Sequence, residues 1–258
     1  MFYQKLKFKF DIEKLKKNLY EDVIPLGEPF YQGREYGYAD AFGGWSLLSY
    51  SGHWRDGWEI GHVMNEEYRH IFYNKNNIPN YKAMKYINYA NPMEHKVKTE
   101  ACVGEISKAI DYIDSLGLTP RRARVTVLNP KTTGVYHADG SRDEYMARLH
   151  IPLITNEKCI HECEGEKLHM PADGSCYILW VNRYHNIFND SDVKRYHIIM
   201  DVYDTKGVTE EFKFNGNIDD MQKVADEFRK NMDMTNLTSN DISFYNNLKQ
   251  NILKELNI

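Results

Sequence analysis

The sequence predicts a mainly β domain, a sandwich or barrel, flanked by α-helices. Two observations predict the β part. From about residue 122 to 204 apolar residues recur with period two in short runs, and turn-forming clusters such as "NPKTTG" and "PADG" separate those runs. Strands this short and this closely spaced build sandwiches and barrels. A third observation predicts the helices: "DIEKLKKNLYEDVI" (11–24) and "TEACVGEISKAIDYIDSLG" (99–117) carry apolar residues at helical spacing.

Taken in order, "KLKFKF" (5–10) alternates and reads as an edge strand. The helix that follows places Ile12, Leu15, Leu19 and Val23 on one side, with Asp11 as N-cap. Residues 27–65 are rich in Gly, Trp and Tyr and read as short strands and long loops. Residues 66–98 are irregular. In the next helix Val103, Ile106, Ile110, Ile113 and Leu116 share a face, and Gly117 ends it. Strands are then expected at 122–128, 147–155, 167–170, 175–181, 184–188 and 194–204. "CIHEC" (159–163) reads as a strand with two ordinary thiols, because C-x-H-x-C lacks a second ligand pair for zinc. Beyond 205, amphipathic patterns at 220–232 and 243–256 predict helices. The expected organisation is a β domain over 1–205 and a helical extension over 206–258. That extension is read as a buttress or a homodimer surface.

Composition narrows the class. The 258 residues carry 33 basic and 37 acidic side chains, a net charge of −4, so nothing favours nucleic acid or a membrane surface as partner. No apolar run approaches the roughly 18 residues of a membrane span, and the N-terminus lacks the apolar core of a signal peptide. The four cysteines, Cys102, Cys159, Cys163 and Cys176, are expected to be reduced thiols, and the expected compartment is the cytoplasm.

The chemistry sits in the β region. In "ARLHIPLI", Arg148 and His150 fall on one face of the strand and Leu149, Ile151 and Leu153 on the other. In "KRYHIIMDVYD", Arg195, His197, Ile199 and Asp201 share a face. If the apolar faces pack on a second layer, the Arg/His faces line one polar space. His137 and Asp139, two apart in "GVYHADG", also point to one side, and His185 heads "HNIF". H-x-D alone is expected by chance in a chain with 10 histidines and 37 acidic residues. Two imidazoles and one carboxylate converging at a barrel mouth would make a facial triad with open positions, which suits Fe(II) and O2. Arg195, one hairpin beyond His185, can reach the same space, where a buried guanidinium wants a carboxylate.

The ordered stretches "RARVTVLNPKTTGVYHADG", "RLHIPLITN", "MPADGSCYILWVNRYHNIFND" and "RYHIIMDVYD" resemble the Fe(II)/2-oxoglutarate dioxygenases of the aspartyl/asparaginyl β-hydroxylase and bacterial proline hydroxylase group. "FGGWSLLS" (42–49) is similar to that group's N-terminal Trp strand. The resemblance covers about half the chain. It implies a double-stranded β-helix, the jelly-roll or cupin-like architecture. It further implies iron held by His137, Asp139 and His185, and 2-oxoglutarate held through Arg195, with Arg148, His150 and His197 lining the same pocket. The animal aspartyl hydroxylases lack the carboxylate ligand. Asp139 is present here, so on the metal this chain sides with the bacterial amino-acid hydroxylases. The implied activity is hydroxylation of an amino-acid side chain, free or peptidyl, with O2 consumed and succinate and CO2 released. The alternative is a cupin-like metal-dependent binding or isomerase protein without 2-oxoglutarate turnover.

For the substrate, Arg124 and Arg142 are candidate carboxylate clamps, with solvated surface charge as the competing reading. Trp45, Trp54 and Trp58 are candidates for a lid or wall, with packing under loops as the alternative.

Overall fold

A computed structural model describes residues 2–32, 42–49, 52–55, 95–134, 136, 147–181 and 183–204. The described part is mainly antiparallel β-structure. Strand β1 (Tyr3–Lys9) opens the chain, followed by α1 (Ile12–Asn18), whose apolar side continues through a π-helical turn at Leu19–Val23. Asp11 caps α1 as expected, its Oδ1 accepting from the Lys14 N–H at 3.2 Å. Next come β2 (Phe30–Gln32), β3 (Phe42–Ser46), β4 (Leu48–Ser49), β5 (Val97–Lys98) and α2 (Gly104–Ser115). Gly117, with φ of 91°, ends α2 in the left-handed region that glycine tolerates. The remaining strands are β6 (Leu118–Leu128), β7 (Thr132–Thr133), β8 (Ala147–Ile154), β9 (Cys159–Cys163), β10 (Glu166–Leu168), β11 (Ser175–Trp180), β12 (His185–Asn189) and β13 (Arg195–Asp204).

From β6 onward the chain passes back and forth between two sheets, with β9 and β10 a hairpin within the smaller one. The larger has the order β1-β11-β8-β13-β6-β3-β2 and the smaller β10-β9-β12-β7. Successive strands crossing between facing sheets in this order form a double-stranded β-helix, the architecture expected. β1 lies at one edge of the larger sheet, as its alternation predicted. β7 falls inside the segment read as a turn. A two-residue strand is too short to show a period.

The larger sheet has two unlike faces. Leu149, Ile151, Leu153, Val125, Val127, Ile178, Ile198 and Met200 turn to one side. There they pack under α1 and α2 against Leu15, Leu19, Ile106, Ile110 and Ile113. Each such side chain contributes about 1.5–3 kcal/mol by leaving water. The other face, lined by Arg124, Thr126, His150, Arg195, His197 and Asp201, turns toward the smaller sheet. A smaller apolar cluster of Phe2, Cys163, Leu168, Met170, Tyr177, Leu179 and Val181 packs between the sheets.

Among the described residues no helix is long and apolar enough to cross a membrane. All four cysteines are buried free thiols, and burial pushes Cys102 up to about 11. The expected helices at 220–232 and 243–256 lie outside the described residues.

Gly174 sits in the "PADG" turn with φ of 83°, and its carbonyl accepts from the Phe10 N–H at 2.9 Å. A Cβ there would stand 2.1 Å from the Phe10 carbonyl oxygen. Gly174→Ala is therefore expected to destabilise the fold by about 2 kcal/mol or more, from left-handed strain plus a backbone clash. Urea unfolding checks this through a lowered midpoint.

Candidate active site

Strand register decides which polar side chains meet. On β13, His197 pairs with Thr126 of β6 and Ile199 pairs with both Arg124 and His150. Asp201 pairs with Arg148. Directly opposed residues of an antiparallel pair share a face, so all of these point between the sheets. From the smaller sheet, β9 and β12 pair His185 with Cys163 and Ile187 with His161. The buried positions of β9 are Cys159, His161 and Cys163. The inter-sheet space thus holds a guanidinium and a run of imidazoles from both sheets.

At one end, Arg195 is 3% exposed, and its Nη2 donates to His197 Nδ1 at 2.8 Å. That bond makes Nδ1 the acceptor and Nε2 the protonated nitrogen of His197. His150 Nδ1 lies 3.4 Å from His197 Nδ1. Burial pushes Arg195 down to about 9, so it remains charged at neutral pH. Burial, then the neighbouring His161, His197, Arg195 and Arg148, drive His150 well below the ordinary histidine value. Burial and then Arg195 do the same for His197. Among the described residues, Arg195 Nη1, His197 Nε2 and His150 Nε2 are buried with no hydrogen-bond partner. Stranded polar atoms of this kind cost about 1–3 kcal/mol each when nothing occupies them, and their clustering here makes this end the candidate position for a ligand.

The run continues into the smaller sheet. His150 meets His161 edge to face, with centroids 5.4 Å apart, and His161 stacks on His185 at 5.6 Å. His185 Nδ1 lies 2.8 Å from the Arg183 carbonyl oxygen, to which it donates. Nε2 is then the lone-pair nitrogen. This is the tautomer that metal-binding histidines adopt when a backbone carbonyl fixes the other nitrogen.

At the other end, Asp201 accepts from Arg148 Nε at 3.1 Å and from Arg122 Nε. Arg124 Nη1 donates to the Arg122 carbonyl at 2.9 Å. Burial opposes ionisation of Asp201, but Arg122, Arg148 and Arg124 outweigh it and hold the carboxyl well below the usual range. Arg122, with φ of 45°, lies where the β6–β13 register shifts, and that bulge turns it to the carboxylate.

Several expectations change here. Arg148 was expected to line one pocket with Arg195 and His150; its guanidinium pairs with Asp201, and its charge, like that of Arg195, also acts on His150. Trp45 was a candidate lid or wall of the site, with packing under loops the competing reading. Its register partner is Val125, its ring lies in the helix-side core, and its Nε1 donates to the Gly27 carbonyl at 3.0 Å. Trp54 packs in the same core. Both are shielded from the inter-sheet space by the sheet itself. Arg124 does face that space. His137, Asp139, Arg142 and Trp58 lie outside the described residues. Two inward residues, His161 and Arg122, carried no functional expectation. Alternation in "CIHEC" signals the first, and nothing in the sequence signals the bulge behind the second.

The two buried imidazoles predict a pH dependence. A histidine kept neutral in the fold has its pKa depressed below the unfolded value near 6.5. Its contribution is complete above that value and is lost as pH falls toward the folded pKa. Thermal midpoints are therefore expected to hold above about pH 6.5 and to drop as pH falls below it, with a stability slope approaching about 1.4 kcal/mol per pH unit for each histidine. The double variant His150→Asn, His197→Asn should flatten that slope.

The family model described as aspartyl/asparaginyl beta-hydroxylase matches residues 59–205, more than half of the chain. No curated protein matches the chain. Among solved structures, a viral collagen prolyl hydroxylase from Paramecium bursaria Chlorella virus-1 is 14% identical. It covers 41% of this chain and 72% of its own, with a TM-score of 0.31. A prolyl-4-hydroxylase from Pseudomonas putida is 15% identical over 41% of this chain and 66% of its own, with a TM-score of 0.31. A cupin domain from Bordetella pertussis is 15% identical over 33% of this chain and 81% of its own, with a TM-score of 0.27. On the family match, the chain belongs to the aspartyl/asparaginyl β-hydroxylase family.

Proposed function

We propose that this protein is an Fe(II)- and 2-oxoglutarate-dependent dioxygenase that hydroxylates an amino-acid side chain, free or within a peptide. The observation that carries the reading is Arg195. It is a buried, charged guanidinium whose Nη1 has no protein partner among the described residues, beside an imidazole N–H at His197 Nε2 in the same condition. A carboxylate satisfies both, and the family match supplies the class of reaction.

His137, Asp139 and His185 would hold the metal. Three observations favour that set. The donors are two imidazoles and one carboxylate, suited to Fe(II). His185 presents Nε2 because Nδ1 is committed to Arg183. The chain also runs alongside β12 just before His137: the Gly134 N–H donates to the Ile187 carbonyl at 2.8 Å, and the Tyr136 ring meets Phe188 at 6.4 Å. When bound, iron and 2-oxoglutarate would activate O2, the oxidant, so that one oxygen atom ends in a substrate C–H bond and the other in succinate, with CO2 released.

The remaining work is positional. Arg195 and His197 hold the distal carboxylate of the cosubstrate. His150 walls the path from that end toward His185. At the far end the Asp201 cluster keeps Arg148 and Arg122 in fixed orientations, with Arg124 beside them, in a field that favours an anionic or polar substrate group. Arg142 remains a candidate clamp for a substrate carboxylate. The apolar cluster around Phe2, Tyr177 and Leu179 excludes water from the space between. The expected partner is thus a small amino acid or a peptide.

Anaerobic titration of the full chain with Fe(II) and 2-oxoglutarate tests the metal assignment. The visible charge-transfer band of the bidentate complex should form in the parent and vanish in His185→Ala and Asp139→Ala. Undiminished succinate production by both variants would end the assignment. Arg195→Ala should raise the 2-oxoglutarate concentration needed for half-saturation at least tenfold while Fe(II) affinity is kept, because a buried charge contact is worth about 2–5 kcal/mol. An unchanged requirement removes Arg195 from the site. Incubation with amino acids and peptides, read as the mass gain of one oxygen atom, identifies the substrate. Failure of any turnover with bound metal would favour the cupin-like alternative.

A further inference from the structure

His161 has no role in the reaction as outlined, yet it stands between two residues that do. The β9–β12 register makes it a diagonal neighbour of His185 on the inner face of the smaller sheet, a separation that aromatic rings span. The two rings lie within 15° of parallel. Phe2 also stacks on His161, at 6.3 Å and 25°. Both Phe2 and His185 therefore lie nearly parallel to the His161 ring, a run of stacked contacts Phe2–His161–His185. His161 also meets His150 of the larger sheet at 85°, edge to face. Among the described residues it is the ring that touches both the metal-side histidine and the cosubstrate-side histidine.

An imidazole that donates through Nδ1 to a backbone carbonyl is aimed only if its ring plane is fixed. The hydrogen bond to Arg183 fixes one atom of that plane. A nearly parallel flat neighbour biases the rest, because the stacked contact made in this plane is favourable beyond the area it buries and an aliphatic side chain makes none.

We infer that His161 is a positioning residue: its ring face, braced by Phe2, holds the His185 imidazole in the plane in which Nδ1 meets the Arg183 carbonyl and Nε2 faces the interior. The consequence for metal binding rests on the reading above, but the ring geometry does not. What matters is a flat ring at position 161. Phenylalanine preserves it, whereas leucine, of similar bulk, does not.

The test uses metal-free full-length protein with ¹⁵N-labelled histidine. Long-range ¹H–¹⁵N spectra report the tautomer of each imidazole, and the His185 signals are assigned by their loss in His185→Ala. The parent and His161→Phe should show His185 as one fixed Nδ1–H tautomer. His161→Leu should show averaging between tautomers. Fe(II) titrated under nitrogen should bind the leucine variant about tenfold more weakly and the phenylalanine variant nearly as well as the parent. Phe2→Leu, which removes the ring stacked on His161, should loosen His185 in the same sense, so the test survives if His161→Leu does not fold. A fixed tautomer and parental Fe(II) affinity in the leucine variants would reduce His161 to packing and overturn the inference. Equal loss in His161→Phe and His161→Leu would also overturn it, since the nitrogens rather than the ring face would then be at work. A parent that binds no Fe(II) sinks the proposed reaction, but the tautomer spectra still decide the case of His161.

Discussion

The larger sheet carries an apolar face and a charged face on the same strands, and everything else follows from covering both. Leu149, Ile151, Ile198 and Met200 need a hydrophobic cover, which α1 and α2 supply. Arg195, His197, His150 and Asp201, alternating with them, are then forced to the other side. Left in water they would cost nothing. The smaller sheet instead closes over them, so their desolvation must be met by partners. The chain meets that demand in two different ways at the two ends of β13.

At the Asp201 end the demand is met internally. One carboxylate accepts from two guanidinium groups, and its oxygens are divided between Arg148 and Arg122. Removal of one member of such a buried set leaves uncompensated charge, and that penalty keeps the others in place. At the Arg195 end it is met only in part. The guanidinium donates to a neutral imidazole rather than to a carboxylate, and several donor and acceptor atoms go unanswered within the described fold. The contrast separates a structural charge cluster from a ligand-ready one on a single strand. In the proposed function this is the end at which the cosubstrate carboxylate would sit, where stability would be given up for binding.

Between the two ends runs a line of imidazoles, of which His150 and His197 are held neutral by burial. Neutral rings suit this place. They supply lone pairs and N–H groups without adding charge next to Arg195, and their flat faces pack as hydrophobic rings do. The stack Phe2–His161–His185 shows the second property at work in the smaller sheet.

The sequence by itself determined a good deal. Period two in 147–155 and 194–204 assigned each Arg and His to a face before any coordinates, because side-chain direction in a strand is a local property of the backbone. Helical spacing and an N-cap at Asp11 assigned α1 for the same reason. The ordered H-x-D, R-L-H, His and Arg carried the family. Other matters only the tertiary structure decided. Whether a tryptophan in a Gly-rich stretch faces helix or interior depends on its strand partner, and pairing with Val125 put Trp45 on the helix side. Which end of β13 holds Arg148 depends on register, and the inward turn of Arg122 depends on a bulge. His161 sits on a face that alternation reveals, but its stack on His185 needs two strands brought side by side. These are relations between segments distant in the chain, set by pairing and packing, and no local pattern encodes them.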